Sequence, residues 1–350
     1  MAPVTLGRME IAEAREVKQQ LSDYARELGE RYGAVTPYTA DATSSTSSDV
    51  DRAPTLALGI APAADGGYAV AVRYRLGVPS ARAVVRKVAA EAGARADVRR
   101  TGRIRTLADV RPRPPVVRAQ ASGETGRVRP LRPGVSIANV AVTAGTLGAF
   151  VVEAGSSTPQ VLSNWHVLAG STTAAAGDVV VQPGPADGGQ EPRDRVGTLG
   201  RLVPLEPGRS NLVDAALAVL DDGIEVDLDH PVGRVTTTAQ ALGGEAVAKI
   251  GRTTALTRGR VTAIELDDVL VGYGDDLGVL GFDGQVEVEP TGTGPFSRGG
   301  DSGSLVYRED GVALGLLFAG SETGGSNGAG LTYVNPIDTV LDALGVRLAG

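Results

Sequence analysis

From about residue 134 onward the chain is cut into short apolar runs, each bounded by Gly, Pro, Asn or Asp: "TLGAFVV", "VLSNWHVL", "DVVVQ", "AALAVL", "AVAKI", "RVTAI", "SLVY", "VALGLLF" and "LTYV". Many short strands at this spacing predict an all-β barrel or sandwich over 134–350. The 48 glycines suit a loop-rich β protein better than a helical bundle. Aromatic residues are only 4% of the chain, so Ala, Val and Leu must supply most of the core. The closing stretch "NPIDTVLDALGV" predicts a short amphipathic helix with Ile337, Val340, Leu341 and Leu344 on one face.

The first third reads differently, and the chain divides into four parts. Residues 1–50 hold a helix and a polar linker, 51–110 a small α/β accessory unit, 111–133 a Pro/Arg-rich linker, and 134–350 the β domain. The helix covers 8–32, where Ala14, Val17, Leu21, Tyr24 and Leu28 form one apolar stripe. That stripe has two possible partners: the chain's own domain, or a second copy in a homo-oligomer. "TADATSSTSSDV" (39–50) contains no core residues. "TLALGIA" and "YAVAVRY" predict a hairpin, 80–93 a helix, and "ADVRRTGRIR" a third strand. No catalytic constellation lies within this unit.

Charge is unevenly distributed. Between Arg73 and Arg132 there are 16 Lys/Arg against 4 Asp/Glu, a local +12 in a chain of −7, so the remainder carries −19. Such a block can bind nucleic acid, but docking on the chain's own acidic neighbour or plain solvation accounts for it more simply. Nucleic acid is therefore not an expected partner. The absence of cysteine excludes disulfides, thiol catalysis and thiolate metal sites. No window approaches the roughly 18 apolar residues that span a bilayer, and "MAPVTLGRMEIAEAREVKQQ" has no secretory h-region. The expected location is cytoplasmic and off the membrane, with secretion by another route left open. No metal or other cofactor is expected; the five aspartates of "LDDVLVGYGDDLGVLGFDGQ" fit no calcium-loop spacing and read as a solvated loop.

Chemistry concentrates at three places. "RGGDSGSLV" (298–306) sets Ser302 between glycines ahead of an apolar strand. A serine hydroxyl is a poor nucleophile unless a base lies within hydrogen-bond reach, and the flexible backbone here lets the N–H groups of Gly300 and Ser302 face one developing oxyanion. Of the two histidines, His166 in "SNWHVLAG" ends an apolar run, whereas His230 in "DLDHPVG" sits in a polar turn. Asp214 in "NLVDAALAVL" heads an alternating strand, where a half-buried carboxylate can fix a histidine tautomer.

Together, "SNWHVLAG", "VDAALA" and "GGDSGSLV", in the order His, Asp, Ser, resemble the trypsin-like serine peptidases of the chymotrypsin clan. "IGRTTALTRGRV" resembles the opening of the second barrel in bacterial members. With "VVVQPGPADGG" and "GLLFAGS" it is also similar to a bacterial group related to the plant Narrow Leaf protein. The resemblance implies a double antiparallel β-barrel over about 134–345 and a serine endopeptidase acting on protein or peptide substrates. It implies Ser302 as nucleophile, His166 as base, Asp214 as its orienting acid, and the Gly300 and Ser302 N–H groups as the oxyanion hole. A histidine base predicts a rate that falls in acid, because a protonated imidazole accepts no proton. The primary pocket would be lined by Phe296, Ser297, Phe318, Ala319 and Gly320, favouring a small or medium apolar side chain. No I-V-G-G type amino terminus is present, so an internal arginine, Arg298, is expected to pair with Asp301. The competing reading is a catalytically silent barrel that captures peptides or serves as a scaffold. An α/β-hydrolase esterase is disfavoured by the order of the three residues and by the lack of a G-x-S-x-G elbow.

Overall fold

The computed structural model describes residues 8–32, 56–75, 79–106 and 121–350. The polar linker 39–50 and residues 111–120 of the Pro/Arg-rich stretch lie outside the described residues. Helix α1 (Ile11–Tyr32) is followed by strands β1 (Leu56–Pro62) and β2 (Tyr68–Arg75), helix α2 (Pro79–Ala92), and strands β3 (Ala96–Thr101) and β4 (Ile104–Thr106). β1 and β2 form an antiparallel hairpin, Leu56 opposite Tyr74 through Pro62 opposite Tyr68. β2 and β3 run parallel, which requires a crossover, and α2 supplies it. The single third strand expected over 96–105 is broken at Gly102 and Arg103 into two strands that join different partners.

Of the two partners open to the α1 stripe, the structure seats it on the chain's own sheet. Leu21 and Leu28 are buried with Leu58, Val70, Val72, Val84, Val85 and Val88, and Ala14 with Ile60 and Ile264. Burying a Leu or Val side chain contributes roughly 1.5–3 kcal/mol, so this face is spent within the chain.

The β domain divides into a curled open sheet and a closed barrel. The first comprises β5 (Ser136–Asn139), β6 (Gly145–Thr146), β7 (Ala149–Glu153), β8 (Gln160–Ser163), β9 (Val179–Val181), β10 (Arg195–Leu202) and β12 (Ala216–Leu220), in the order β7-β8-β12-β10-β9-β5-β6. One helical turn, α3 (Trp165–Leu168), follows β8, and β11 (Ser210–Asn211) precedes β12. Short strands β13 (Asp229–His230), β14 (Gly233–Arg234) and β15 (Thr237–Thr238) lead to the second unit. That unit comprises β16 (Ala246–Gly251), β17 (Ala255–Asp267), β20 (Gln285–Pro290), β21 (Leu305–Arg308), β22 (Val312–Ser321) and β23 (Thr332–Pro336). Each strand pairs antiparallel with the next in the cycle β16-β17-β20-β23-β22-β21, and β21 returns to β16. Closure removes the edge strands that would otherwise template aggregation.

A hairpin of β18 (Val269–Gly272) and β19 (Val279–Phe282), joined by the turn α4 (Gly274–Leu277), projects from β17. The chain ends in α5 (Ile337–Leu344) and β24 (Val346–Leu348), which returns to pair with β7. Between the two sheets lies a shared apolar layer: Leu162 and Leu217 from one, Leu305 and Leu316 from the other, and Ile337, Val340 and Leu344 of α5. The fold is mainly β with two barrel-like units, as the run spacing implies.

The accessory strands do not stand apart. β1 pairs with β17, Ile60 opposite Ile264, and β4 pairs with β22, so the unit extends the sheet of the closed barrel. Part of the basic block is neutralised at this junction. Arg73, 2% exposed, lies 2.8 Å from both Glu287 and Asp97, and Arg99 lies 2.8 Å from Glu289. Burial disfavours the Arg73 charge, but Glu287 and Asp97 outweigh it and hold the guanidinium above its ordinary range. No helix among the described residues is long and apolar enough to cross a membrane.

Candidate active site

His166 sits on α3, directly after β8, and Asp214 two residues ahead of β12. β8 and β12 are neighbours, with Ser163 opposite Ala216, so two residues 48 apart in sequence meet at one end of the sheet. His166 Nδ1 faces Asp214 Oδ2 in a short contact, and the His166 backbone N–H donates to Asp214 Oδ1 at 3.2 Å. Both side chains are fully buried. Asn164 Nδ2 donates to the Asp214 carbonyl at 2.7 Å, which ties the segment before the histidine to the segment bearing the acid. With Nδ1 committed to the carboxylate, Nε2 is the ring nitrogen left to act, and it has no hydrogen-bond partner among the described residues.

A residue that sequence reading passed over completes this pair. Tyr273, on the β18–β19 hairpin, donates its hydroxyl to Asp214 Oδ2 at 2.6 Å and stands edge-on to the His166 ring at 6.0 Å. Burial above all, then the Asp214 charge, pushes the Tyr273 phenol well above its ordinary range, so it remains a donor. The segment expected to be a solvated loop thus forms a hairpin that caps the acid. "VGYGDD" carries no signal for this role; only the pairing of β18 with β19 and the stacking of Tyr273 on Phe282, 5.8 Å between ring centres, place it.

Ser302 lies in the turn between β20 and β21, packed against the other sheet. Thr146 N–H donates to the Ser302 carbonyl at 2.8 Å, and the Thr146 carbonyl accepts from Ser163 Oγ at 2.7 Å, three residues from His166. Ser302 Oγ donates to the Phe318 carbonyl at 3.3 Å. Residues 298–301 form a turn closed by Asp301 N–H to the Arg298 carbonyl at 3.0 Å, with Gly300 at φ +95°. A positive φ at the third position is the type II signature and requires glycine. The Gly299 carbonyl is held by Thr253 Oγ at 2.6 Å, and the Gly300 carbonyl by Thr146 Oγ1 at 2.8 Å. Because a trans peptide points its N–H opposite its C=O, anchoring the Gly299 carbonyl fixes the direction of the Gly300 N–H.

Asp301 points into the protein, but its cation is not Arg298. Lys249 Nζ, fully buried on β16, lies 3.2 Å from Asp301 Oδ2. Arg298 contributes only its backbone N–H, at 2.9 Å, alongside the N–H groups of Thr253 and Thr254 and the Thr254 hydroxyl. Burial lowers the Lys249 pKa and Asp301 opposes the shift. Lys249 lies in "AKIGRTT", and only the pairing of β16 with β17 carries it beneath the serine turn.

Four of the five residues expected to line the primary pocket are buried, as are Ser302 and His166 themselves. The Phe296 ring is buried (1% exposed) among Val261, Val288 and Leu317, and the Phe318 ring (0%) packs on Phe282 at 4.8 Å. Ala319 is buried in the same cluster as Phe318. These two rings, of the chain's four phenylalanines, pack within the barrel's apolar clusters. Ser297 is half-buried with its hydroxyl 2.7 Å from that of Thr332, and Gly320 lies opposite Arg105 of β4. His230 is structural: buried, edge-on to Tyr307 at 5.3 Å, its pKa lowered by burial to about 4. Among the described residues no group of three or more His, Asp or Glu is arranged to hold a metal ion.

No protein-family model matches the chain. It is 34% identical to streptogrisin-D of Streptomyces griseus over 126 residues, which is 35% of this chain and 28% of that protein. It is 38% identical to glutamyl endopeptidase 2 of Streptomyces griseus over 114 residues, 33% of this chain and 53% of that protein. The chain thus spans about half or less of the length of these curated relatives. Among solved structures, a glutamic acid specific serine protease aligns at 26% identity and TM-score 0.43 over 62% of this chain and 100% of its own. Thermobifida fusca protease A aligns at 19% identity and TM-score 0.43 over 62% of this chain and 98% of its own. The curated relatives are trypsin-like serine proteases, and the resemblance carried by the three motifs fits them.

Proposed function

We propose that this chain is a serine endopeptidase in which Ser302, His166 and Asp214 act as nucleophile, base and orienting acid. The observation that carries the reading is the buried His166–Asp214 pair, whose committed Nδ1 leaves Nε2 unpartnered beside the sheet that packs on the Ser302 turn. A binding module has no need of a buried imidazole with one nitrogen unsatisfied, since such a group costs free energy.

Ser302 Oγ attacks the scissile carbonyl carbon while His166 Nε2 takes its proton. The carbonyl oxygen becomes an oxyanion that accepts from the N–H groups of Gly300 and Ser302. Collapse of this adduct breaks the C–N bond; the leaving amine takes the proton from His166, and water then hydrolyses the acyl-serine by the same relay. Asp214 stabilises the imidazolium at each stage, held in place by Tyr273 and Asn164. Ser302 Oγ leaves its long contact with the Phe318 carbonyl to engage His166; such bonds tighten in the bound complex. The substrate is a protein or peptide, and its P1 side chain meets Ser297 and the neighbouring main chain in preference to an aromatic-lined slot.

Labelling with a fluorophosphonate probe tests this. Wild-type protein is expected to label, and Ser302→Ala and His166→Ala to lose labelling. Wild-type protein that stays unlabelled while folded would favour the silent, peptide-capturing barrel.

A further inference from the structure

In the proposed reaction a peptide must reach Ser302 along β22, because β22 carries Phe318, whose carbonyl touches Ser302 Oγ. One edge of that strand is taken: Ala319 and Gly320 pair with Tyr333 and Thr332 of β23. Main-chain pairing with an incoming peptide can use only the opposite edge. That edge is not open. β4 lies on it, antiparallel, with Thr106 opposite Ala319, Arg105 opposite Gly320 and Ile104 opposite Ser321.

The pairing continues past the strand. Gly102 N–H donates to the Thr323 carbonyl at 2.9 Å, Thr101 bridges to Gly324, and Gly325 N–H donates to the Arg100 carbonyl at 3.4 Å. Residues 100–106 therefore follow 319–325 along their whole length. The approach is close: a Cβ on Gly102 would sit 2.6 Å from Thr323 Oγ1 and 2.7 Å from the Thr323 carbonyl oxygen. On its far side β4 touches β18, Arg105 opposite Gly272, so it is sandwiched between the strand beside Ser302 and the hairpin that bears Tyr273. Its outward neighbour, the Arg99–Glu289 pair, reaches the same segment, since Glu289 accepts from Ser326 N–H at 2.8 Å.

We propose that β4 is a built-in occupant of the peptide-binding edge of β22, with Ile104, Arg105 and Thr106 holding the main-chain positions an extended substrate would use. The inference rests on Ser302 being the nucleophile. It assigns the accessory unit a role at the site: the chain as it stands is latent toward extended peptides while its serine machinery is intact. Small acylating reagents that need no strand pairing react with Ser302; peptides gain nothing from residues preceding the reacting one until β4 is displaced.

The test compares two reagents on the full chain: a phosphonate warhead carrying a single amino acid, and the same warhead extended by two residues on its amino side. Wild-type protein is expected to react with both at rates within about two-fold. Arg105→Pro removes a backbone N–H at the centre of the pairing and is expected to react at least ten-fold faster with the extended reagent, with the single-residue rate unchanged. Gly102→Val, whose Cβ would meet Thr323, loosens the same pairing from its other end and serves if the first variant misfolds. A ten-fold preference for the extended reagent in wild-type protein would overturn the inference, as would a folded variant that gains none. If neither reagent nor the fluorophosphonate probe labels wild-type protein, the nucleophile assignment falls and this inference with it.

Discussion

In the proposed mechanism the Gly300 N–H is aimed at the oxyanion by a side chain that never touches substrate. Thr253 Oγ donates to the Gly299 carbonyl at 2.6 Å and so holds the 299–300 peptide in one of its two orientations. Thr253→Val keeps the shape and removes the donor. The lost hydrogen bond is worth about 1–1.5 kcal/mol. Spent entirely on peptide orientation, it shifts the balance toward the reversed peptide by roughly 5- to 13-fold, since 1.4 kcal/mol is a factor of about ten. Complete reversal would remove one oxyanion donor, on the order of 10²–10³ in kcat. The other two restraints, Thr146 Oγ1 on the Gly300 carbonyl and the Asp301 N–H on Arg298, remain and keep the loss well below that of complete reversal. The expected result is a kcat lowered about 5- to 13-fold on a small activated ester, with KM changed less than two-fold. The thermal midpoint should fall by only a few degrees, and Thr253→Ser should restore the rate. A kcat within two-fold of wild type in a folded Thr253→Val protein would refute the claim that Thr253 sets the oxyanion donor.

Tyr273→Phe removes a hydrogen bond to the buried Asp214 carboxylate; the expected cost is about 2 kcal/mol, read as a lower denaturant midpoint at unchanged slope, with kcat reduced roughly ten-fold. Equal stability of the two proteins would show the contact to be idle. Lys249→Met strips Asp301 of its cation while four hydrogen-bond donors stay. A loss of about 3 kcal/mol in chemical denaturation is expected, the low end for a broken buried pair, together with reduced turnover as the serine turn loosens; an unaffected midpoint would refute it. His230 has its folded pKa lowered by burial to about 4, from an unperturbed 6.5. The unfolded chain therefore binds an extra proton between those values, and stability present above pH 6.5 is lost progressively down to about pH 4, by about 3 kcal/mol in all. His230→Gln should flatten that part of the stability–pH curve, and an identical acid slope in the two proteins would count against it.

The proposed triad rests on signals that sequence alone carries. Short apolar runs between turn residues can be little other than antiparallel strands, and glycines around one serine announce a turn built for its N–H groups. Those signals are local, and so they survive in one dimension. The same holds for α1, whose stripe states that one face is buried, though not against what. Pairing across the fold is another matter. Tyr273 sits in a stretch whose aspartates read as solvated loop, and it meets Asp214 only because β18 and β19 fold back across the barrel mouth. Lys249 reaches Asp301 because β16 runs beneath the serine turn, which overrode the nearer Arg298. Phe296 and Phe318 flank the site in sequence but turn inward, since a barrel this poor in aromatic residues places the rings it has in its cores. The placement of β4 on β22 joins residues more than 200 apart through main-chain hydrogen bonds, which any sequence can make. Sequence by itself thus picked out the three residues that the proposed mechanism uses, because nucleophile, base and acid depend on side-chain identity. Only the tertiary structure decided what holds them and what occupies the substrate edge, because those depend on backbone register and on which buried charges end up side by side.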